Sequence, residues 1–316
     1  VKALVYAGGQ AVRQVDTVVP PPAAGEVAVA VLQAGVCGTD LCLVKYERPK
    51  AEPGMTLGHE FVGLRLDTGE RVIVNPLISC GQCAACRRGQ DHLCATRQVI
   101  GVHRRGGLAE TVNVPVANLV PAGSLSNAQA AMADPVATAL HAFRLGPPPQ
   151  GPVAILGAGA IGLCLLFVLK RLGVEDVTVT DLSPQRLELA TRGGATRVGA
   201  SITQVYDVAY DTVGAESTRA DAIAKVRPGG TAILVGLHDA NLVASAGPIV
   251  GDERTIRGSF GYTRAEFREA IGLLADLDTR WIHTVPFAEA EGAFTALLQG
   301  RLHPTQVKLQ MRFGNS

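Results

Sequence analysis

Neither sign of charge dominates this sequence. Lys and Arg together number 29 and Asp and Glu 28, for a net charge of +1 and a charged fraction of 18%. Such a balance offers no basic stripe to hold a phosphate backbone, so nucleic acid is not expected as a partner. Long apolar runs are missing as well. The longest, Ile161 to Leu169, stops at Lys170-Arg171 and falls short of the about 20 residues that a bilayer span needs, so no membrane association is expected. The opening Val1-Lys2-Ala3-Leu4-Val5-Tyr6 reads as a strand and lacks the basic, apolar and small-residue regions of a signal peptide, which argues against export. A disulfide framework is also not indicated. The seven cysteines are an odd number and four of them stand at metal-binding spacing, so a reducing cytoplasm is the expected compartment.

Those four, Cys80, Cys83, Cys86 and Cys94, follow the pattern C-x2-C-x2-C-x7-C, which lets four thiolates close a tetrahedron around one zinc ion. The loop around them, residues 78–96, has no apolar pattern of its own and could not fold on hydrophobic burial alone. A second candidate metal set is Cys37 with His59 and Glu60. A catalytic zinc keeps one position open and takes three protein ligands from separate places in the chain. Cys37 and His59 are ambiguous singly, because an isolated cysteine is usually a small buried apolar residue and a single histidine a satisfied loop residue. A third ligand has to come from further along.

At 316 residues the chain exceeds the roughly 250–300 at which single cores stop growing, so two domains are expected. Residues 1 to about 120 hold short alternating segments such as Glu26–Val31 and Glu70–Val74 among many turn residues, the texture of an all-β lobe, read as a small barrel. From about 150 the texture becomes strand, helix, strand, as in Val153–Leu156, a helix through Leu172, then Val177–Thr180; this predicts a doubly wound parallel sheet. Ser183 and Pro184 open a further helix that should stop at Gly193, and Thr263 with Glu266 forms a capping box before Phe267, Ala270, Ile271 and Leu274. The alternating end, Gln306–Gln310, is expected to rejoin the first lobe. Gly146–Gly151 is read as a loop before the first sheet strand, although it has the composition of a linker. The expected domains are thus 1–124 with 262–316, and 125–261.

Gly157, Gly159 and Gly162 follow a four-residue apolar strand and open a helix through Ala160 and Ile161. In that context the glycines give a tight turn, a bare backbone facing a pyrophosphate and close helix packing, the signature of a dinucleotide site. Asp181 ends the next strand, near the ~20-residue offset of a ribose-binding carboxylate. A carboxylate there repels a 2′-phosphate, so NAD is expected over NADP, a preference that Arg186 one helical turn on could soften.

Cys37-Gly38-Thr39-Asp40, Gly58-His59-Glu60, the four-cysteine loop, Gly106–Glu110, Ala133-Asp134-Pro135 with Ala139–Ala142, and the Gly157–Gly162 turn resemble, in this order, the zinc-dependent medium-chain alcohol dehydrogenase family. The resemblance implies an α/β chain with a GroES-like β-rich catalytic domain plus a Rossmann doubly wound parallel sheet, one catalytic and one structural zinc, and NAD. It implies catalytic ligands at Cys37, His59 and Asp134, with Asp134 the expected resting ligand and Glu60 a carboxylate beside the metal. Thr39 matches the hydroxyl that takes the alcohol proton, or is a turn hydroxyl bonded to its own backbone. Cys42 departs from the histidine relatives use to relay that proton. Val235-Gly236-Leu237 and Gly258-Ser259-Phe260 match turns facing the nicotinamide, and Lys308 matches a basic position that approaches the pyrophosphate. The segment Gly101–Gly107 is similar to one in relatives that act on sugar acids and polyols, which would let Arg104 and Arg105 meet a carboxylate.

The function expected is reversible hydride transfer between a secondary alcohol or polyol, as small-molecule alcohol or ketone, and NAD. The alternatives are a dehydrogenase of a sugar acid, of threonine or of another amino alcohol, and a non-catalytic dinucleotide-binding protein. A homodimer or homotetramer is expected, paired through sheet edges near Thr231–Val235 and Thr255–Phe260.

Overall fold

Valine-rich segments of period two form the strands of a first unit, and near-continuous apolar segments form those of a second. The computed structural model describes residues 1–46 and 51–314, which include every candidate site residue. The chain separates into Val1–Asp134 with Thr263–Ser316, and Pro135–Tyr262. The first division falls within the helix Ala133–Leu145 and not at 124/125, because the short helix Asn127–Ala130 packs on the strands Glu26–Gly35 and Glu60–Arg65 and belongs to the first unit.

In the first unit a seven-stranded sheet runs Ile282–Pro286, Lys308–Arg312, Glu26–Gly35, Glu60–Arg65, Arg71–Val74, Leu119–Pro121, with Thr111–Pro115 also paired to Glu26–Gly35. Among the described residues the two end strands do not pair with each other, so the small barrel expected of this lobe is open at that seam. Leu4, Val29, Phe61, Leu309 and Met311 lie in its core. The register matters for chemistry. Gly35 stands opposite Glu60 on one neighbour and Gln310 on the other, and the Val36 N–H donates to the Leu309 carbonyl at 2.9 Å. Three strands thereby bring the Cys37 turn, the His59-Glu60 turn and Lys308 to one end of the sheet. The alternating C-terminal strand does rejoin this unit, after the helix Arg264–Leu273, whose capping box is present and whose Phe267 and Ala270 are buried.

The two-stranded ribbon Leu77–Ile78 with Gln98–Val99 closes the base of the cysteine loop. Inside the loop are only one turn of helix, Ala84–Arg87, and a 3-10 turn, Asp91–Leu93. The Arg264 N–H, at the start of the helix Arg264–Leu273, donates to both Asp91 carboxylate oxygens at 3.3 Å, docking the loop on that helix.

In the second unit six strands, all parallel, run Arg197–Gly199, Val177–Thr180, Val153–Leu156, Tyr206–Asp211, Val226–Leu234, Thr255–Gly258. In the unit's own chain order this is third, second, first, fourth, fifth, sixth, the doubly wound arrangement whose ligands lie beyond the carboxyl ends of the strands. Thr231–Val235 was expected at an edge, but Val226–Leu234 is internal; of the two expected edges Thr255–Gly258 is one, and the opposite edge is Arg197–Gly199. Ser183 caps the helix Pro184–Arg192, which ends at Gly193. Gly146–Gly151 lies within this unit, as a loop between the helix Ala133–Leu145 and the strand Val153–Leu156. No helix among the described residues is long and apolar enough to cross a membrane.

Candidate functional site

The strand register sets up a cluster of ligand atoms. One donor atom from each of Cys37, His59 and Glu60 lies within 4.8 Å of the others, and His59 and Glu60 are buried. Gly58 allows the turn before His59, with φ +92, where an added Cβ would also run into Leu108. Gly106 and Gly107 let the following loop lie directly on this turn, since a Cβ at either would strike the Leu57-Gly58 backbone or the Phe61 ring. Arg104 of that loop is paired with Glu26, and Arg105 donates to the Val18 carbonyl at 2.8 Å. Both guanidinium groups thus have partners inside the first unit, Arg104 through an ion pair and the exposed Arg105 through Nη1 alone.

Asp40 ties the two ligand turns together, a role the sequence reading did not assign. Fully buried, it accepts the Cys37 N–H at 2.9 Å and the Gly58 N–H at 3.2 Å, and its Oδ1 stands 3.7 Å from His59 Nδ1. A carboxylate beside one ring nitrogen favours the proton there and leaves the other nitrogen for a metal. The only sequence signal was an Asp three residues after Cys37 in a turn, which is common in turns without any metal.

Glu60 forms an ion pair with Lys308, which is 3% exposed. Lys308, expected near the pyrophosphate, is thus buried against the ligand cluster. A Cβ on Gly35 would meet the Glu60 carboxylate and crowd Lys308, so a larger residue there would displace the pair. Glu60 completes the trio within 4.8 Å, while Asp134, the expected resting ligand, stands in the first turn of Ala133–Leu145 and acts on Lys308 through its charge. Burial opposes charge on Lys308, but Glu60 and Cys37 outweigh it and raise its pKa. His59 behaves alike: burial lowers its pKa, yet Cys37 and Asp40 hold it well above the ordinary value. The cluster is an anionic field that draws positive charge, and Glu60 Oε1 is buried with no hydrogen-bond partner. Both features fit a divalent cation held by a soft sulfur, an imidazole and a carboxylate. Thr39 is exposed and its hydroxyl lies 3.7 Å from the Cys37 sulfur. Burial and the neighbouring Cys37 raise the Cys42 pKa, which keeps it a neutral thiol.

Cys80, Cys83, Cys86 and Cys94 also lie within 4.8 Å of one another, and none is in a disulfide. Backbone amides are aimed at the sulfurs: the Cys80 N–H donates to Cys94 at 3.4 Å and the Cys83 N–H to Cys80 at 3.3 Å. The Cys80 amide and the Thr96 hydroxyl pull the Cys94 thiol down to about 6, while burial pushes Cys86 up to about 11. Donors directed at sulfur stabilise thiolates, which suits a closed four-sulfur zinc shell.

In the second unit Gly157 adopts φ +100, and a Cβ there would meet Val213 and Thr212. One on Gly162 would collide with the Gly157 carbonyl, while at Gly159 it would meet nothing within 4 Å. The first glycine makes the turn, the third lets the helix approach, and the second leaves a bare backbone at the helix N-terminus, where Ala160 and Ile161 form the first turn. Asp181 Oδ2 accepts the Ala158 N–H at 2.9 Å and Oδ1 the Ser183 N–H at 2.9 Å, with Arg186 Nη1 3.9 Å away. The Val235 and Gly236 N–H groups both donate to the Asp211 carbonyl, Leu237 is 80% exposed, and the Ser259 N–H donates to the Leu234 carbonyl at 2.9 Å. These segments follow the carboxyl ends of the last strands, a location open to a ligand. The buried pair Asp211 and Arg219 behind them was not foreseen, because nothing local in the sequence marks two charges as partners.

A doubly wound sheet with a glycine turn and a ribose-type carboxylate, in one chain with a thiolate, imidazole and carboxylate cluster, defines a metal-dependent dinucleotide oxidoreductase. The sequence matches the family profile described as alcohol dehydrogenase GroES-like domain over residues 23–124 and that described as zinc-binding dehydrogenase over residues 160–276. It is 32% identical to the L-galactonate-5-dehydrogenase of Escherichia coli (strain K12), covering 85% of this chain and 87% of that one. An L-threonine 3-dehydrogenase of Streptomyces avermitilis is 30% identical, with 90% and 92% covered. The structure of an alcohol dehydrogenase from E. coli CFT073 complexed with NADH matches with a TM-score of 0.90 at 28% identity over 99% of both chains. The chain belongs to the zinc-dependent medium-chain alcohol dehydrogenase family, and its chemistry is hydride transfer between an alcohol and a nicotinamide dinucleotide.

Proposed function

We propose that the protein interconverts a secondary alcohol or polyol and its ketone with NAD, using one zinc at the Cys37 cluster and another at the cysteine loop. The observation that carries this reading is the convergence of Cys37, His59 and Glu60 on a buried, cation-seeking field. When bound, zinc supplies a Lewis acid that lowers the pKa of an oxygen ligand, and the nucleotide supplies a hydride acceptor.

The rest is the work of side chains. Cys37, His59 and Glu60 would hold the catalytic metal, with Asp40 fixing the His59 ring and Asp134 close by as an alternative carboxylate. Lys308 balances the charge of Glu60. The Thr39 hydroxyl is the candidate to take the proton from the alcohol, and the neutral Cys42 thiol is a poor relay for passing it onward. Gly157, Gly159, Ala160, Ile161 and Gly162 would cradle the pyrophosphate, Asp181 the adenosine ribose, and Val235, Gly236, Leu237 and Ser259 the nicotinamide end. The carboxylate of Asp181 supports NAD over NADP, with Arg186 moderating it.

A sugar-acid substrate is the second reading, favoured by the identity to an L-galactonate-5-dehydrogenase, while the pairing of Arg104 with Glu26 weakens one of its two expected anchors. We further expect a cytoplasmic protein, in keeping with seven unpaired thiols, and a homodimer or homotetramer, in keeping with the open edge at Thr255–Gly258.

Metal analysis tests the site assignment. Wild type should carry a zinc at each site, whereas Cys37→Ala and His59→Ala should lose one zinc and all turnover while binding NADH normally. Full turnover in either variant would exclude the cluster as the catalytic centre.

A further inference from the structure

Arg219 and Asp211 are buried charges that neither metal site uses. Asp211 ends the strand Tyr206–Asp211 and is 0% exposed; Arg219 lies on the helix Glu216–Ala224 and is 6% exposed. Asp211 acts on both sides of a junction. Its Oδ1 accepts the N–H groups of Val213 at 3.1 Å and Gly214 at 2.9 Å, while its main-chain carbonyl accepts those of Val235 at 2.9 Å and Gly236 at 3.0 Å. The other carboxylate oxygen makes no hydrogen bond and faces Arg219 Nε at 3.9 Å.

From that anchor the guanidinium reaches two more points. Nη2 donates to the Gly236 carbonyl at 3.2 Å and Nη1 to the Asn241 carbonyl. One planar fork therefore fastens both ends of the segment Gly236–Asn241, between which Leu237 projects outward. The junction beneath is interlocked. A Cβ on Gly214, which has φ +82, would strike the Gly236 backbone, and one on Gly236 would strike Val213 and Gly214. Asp239 adds a further tie, its N–H donating to the Gly214 carbonyl at 2.9 Å and its carboxylate accepting the Glu216 N–H at 2.9 Å.

Burying a charge pair gains little stability over apolar packing, so stability alone does not account for this one. Only a rigid fork meets a carboxylate and two carbonyls at once; a lysine ammonium is a point charge without that plane. The turns it holds stand at the carboxyl ends of the fourth and fifth strands of the sheet. In a doubly wound sheet that half takes the second mononucleotide, whereas the glycine turn and Asp181 lie on the first half.

We propose that Arg219, anchored on Asp211, is a positioning residue for the nicotinamide half of the cofactor: it fixes the backbone of Val235-Gly236-Leu237 without itself touching the nucleotide. The inference rests on the NAD reading above. Binding of NADH and of ADP-ribose, which lacks the nicotinamide, to the zinc-loaded enzyme separates the possibilities. Arg219→Met should weaken NADH about tenfold, the scale of losing hydrogen bonds from a charged donor, and leave ADP-ribose unchanged. Arg219→Lys should show the same one-sided loss, and carries the comparison if the methionine variant does not fold. Equal weakening of both ligands would make Arg219 merely structural, and unchanged NADH affinity would remove its role; either overturns the proposal. Failure of wild type to bind NADH while binding ADP-ribose would overturn the NAD reading and this inference with it.

Discussion

Glu60 couples two demands within one side chain. As a carboxylate in the Cys37 cluster it is placed to hold a metal, and as the partner of Lys308 it neutralises a cation buried to 3% exposure. Removing one partner of a buried pair leaves an uncompensated charge, at a cost of roughly 3–5 kcal/mol. Glu60→Gln in the metal-free protein should therefore lower unfolding stability in urea by about that range, and adding Lys308→Met should restore much of it. A loss below about 0.5 kcal/mol would mean that Asp134 and Cys37 suffice to hold Lys308. Asp181 presents a simpler case. Asp181→Gly should raise kcat/KM for NADP relative to NAD, because a negative charge at the expected 2′-phosphate position is gone, and an unchanged ratio would take Asp181 out of that role.

Among the elements, the cysteine loop lacks an apolar interior, and what fastens it to its neighbour is Asp91 at the start of Arg264–Leu273. Stripping the zinc proposed for it should open residues 78–96 to protease and lower the melting temperature, while NADH binding by the second unit persists at low temperature. Asp91→Asn should cost only about 0.5–1 kcal/mol, the scale of a charge at a helix N-terminus, which thermal unfolding can resolve. If the stripped loop stayed resistant, its order would have to come from contacts other than metal. Elements of this kind were legible in the sequence where one local rule decides them. The Thr263 and Glu266 capping box, Pro184 and Gly193 around their helix, and the glycine turn after Val153–Leu156 all stand where their chemistry requires. Harder to read was whatever depends on tertiary register. Period two could announce strands but not that Gly35 would sit between Glu60 and Gln310, so the Glu60 and Lys308 pair could not be read. The same limit hid Asp40, Asp211 and Arg219, whose partners are backbone groups brought up by the fold. It also misassigned Thr231–Val235 to an edge, since no local signal shows that Thr255–Gly258 pairs on its outer side.

For the whole molecule, family membership establishes the kind of chemistry while leaving the substrate to the pocket walls, which differ among dehydrogenases of one fold. The pairing of Arg104 with Glu26 predicts that a carboxylate adds little to substrate affinity, so kcat/KM for a polyol should equal or exceed that for the matching aldonate. A strong preference for aldonates would favour the sugar-acid reading. The most direct test of the central claim is the rate of NADH formation from NAD by the zinc-loaded protein across secondary alcohols, polyols, aldonates and threonine, with and without a zinc chelator. The account predicts turnover on a secondary alcohol or polyol that the chelator abolishes and added zinc restores; turnover indifferent to the chelator in protein shown to have lost the Cys37-cluster zinc would contradict it.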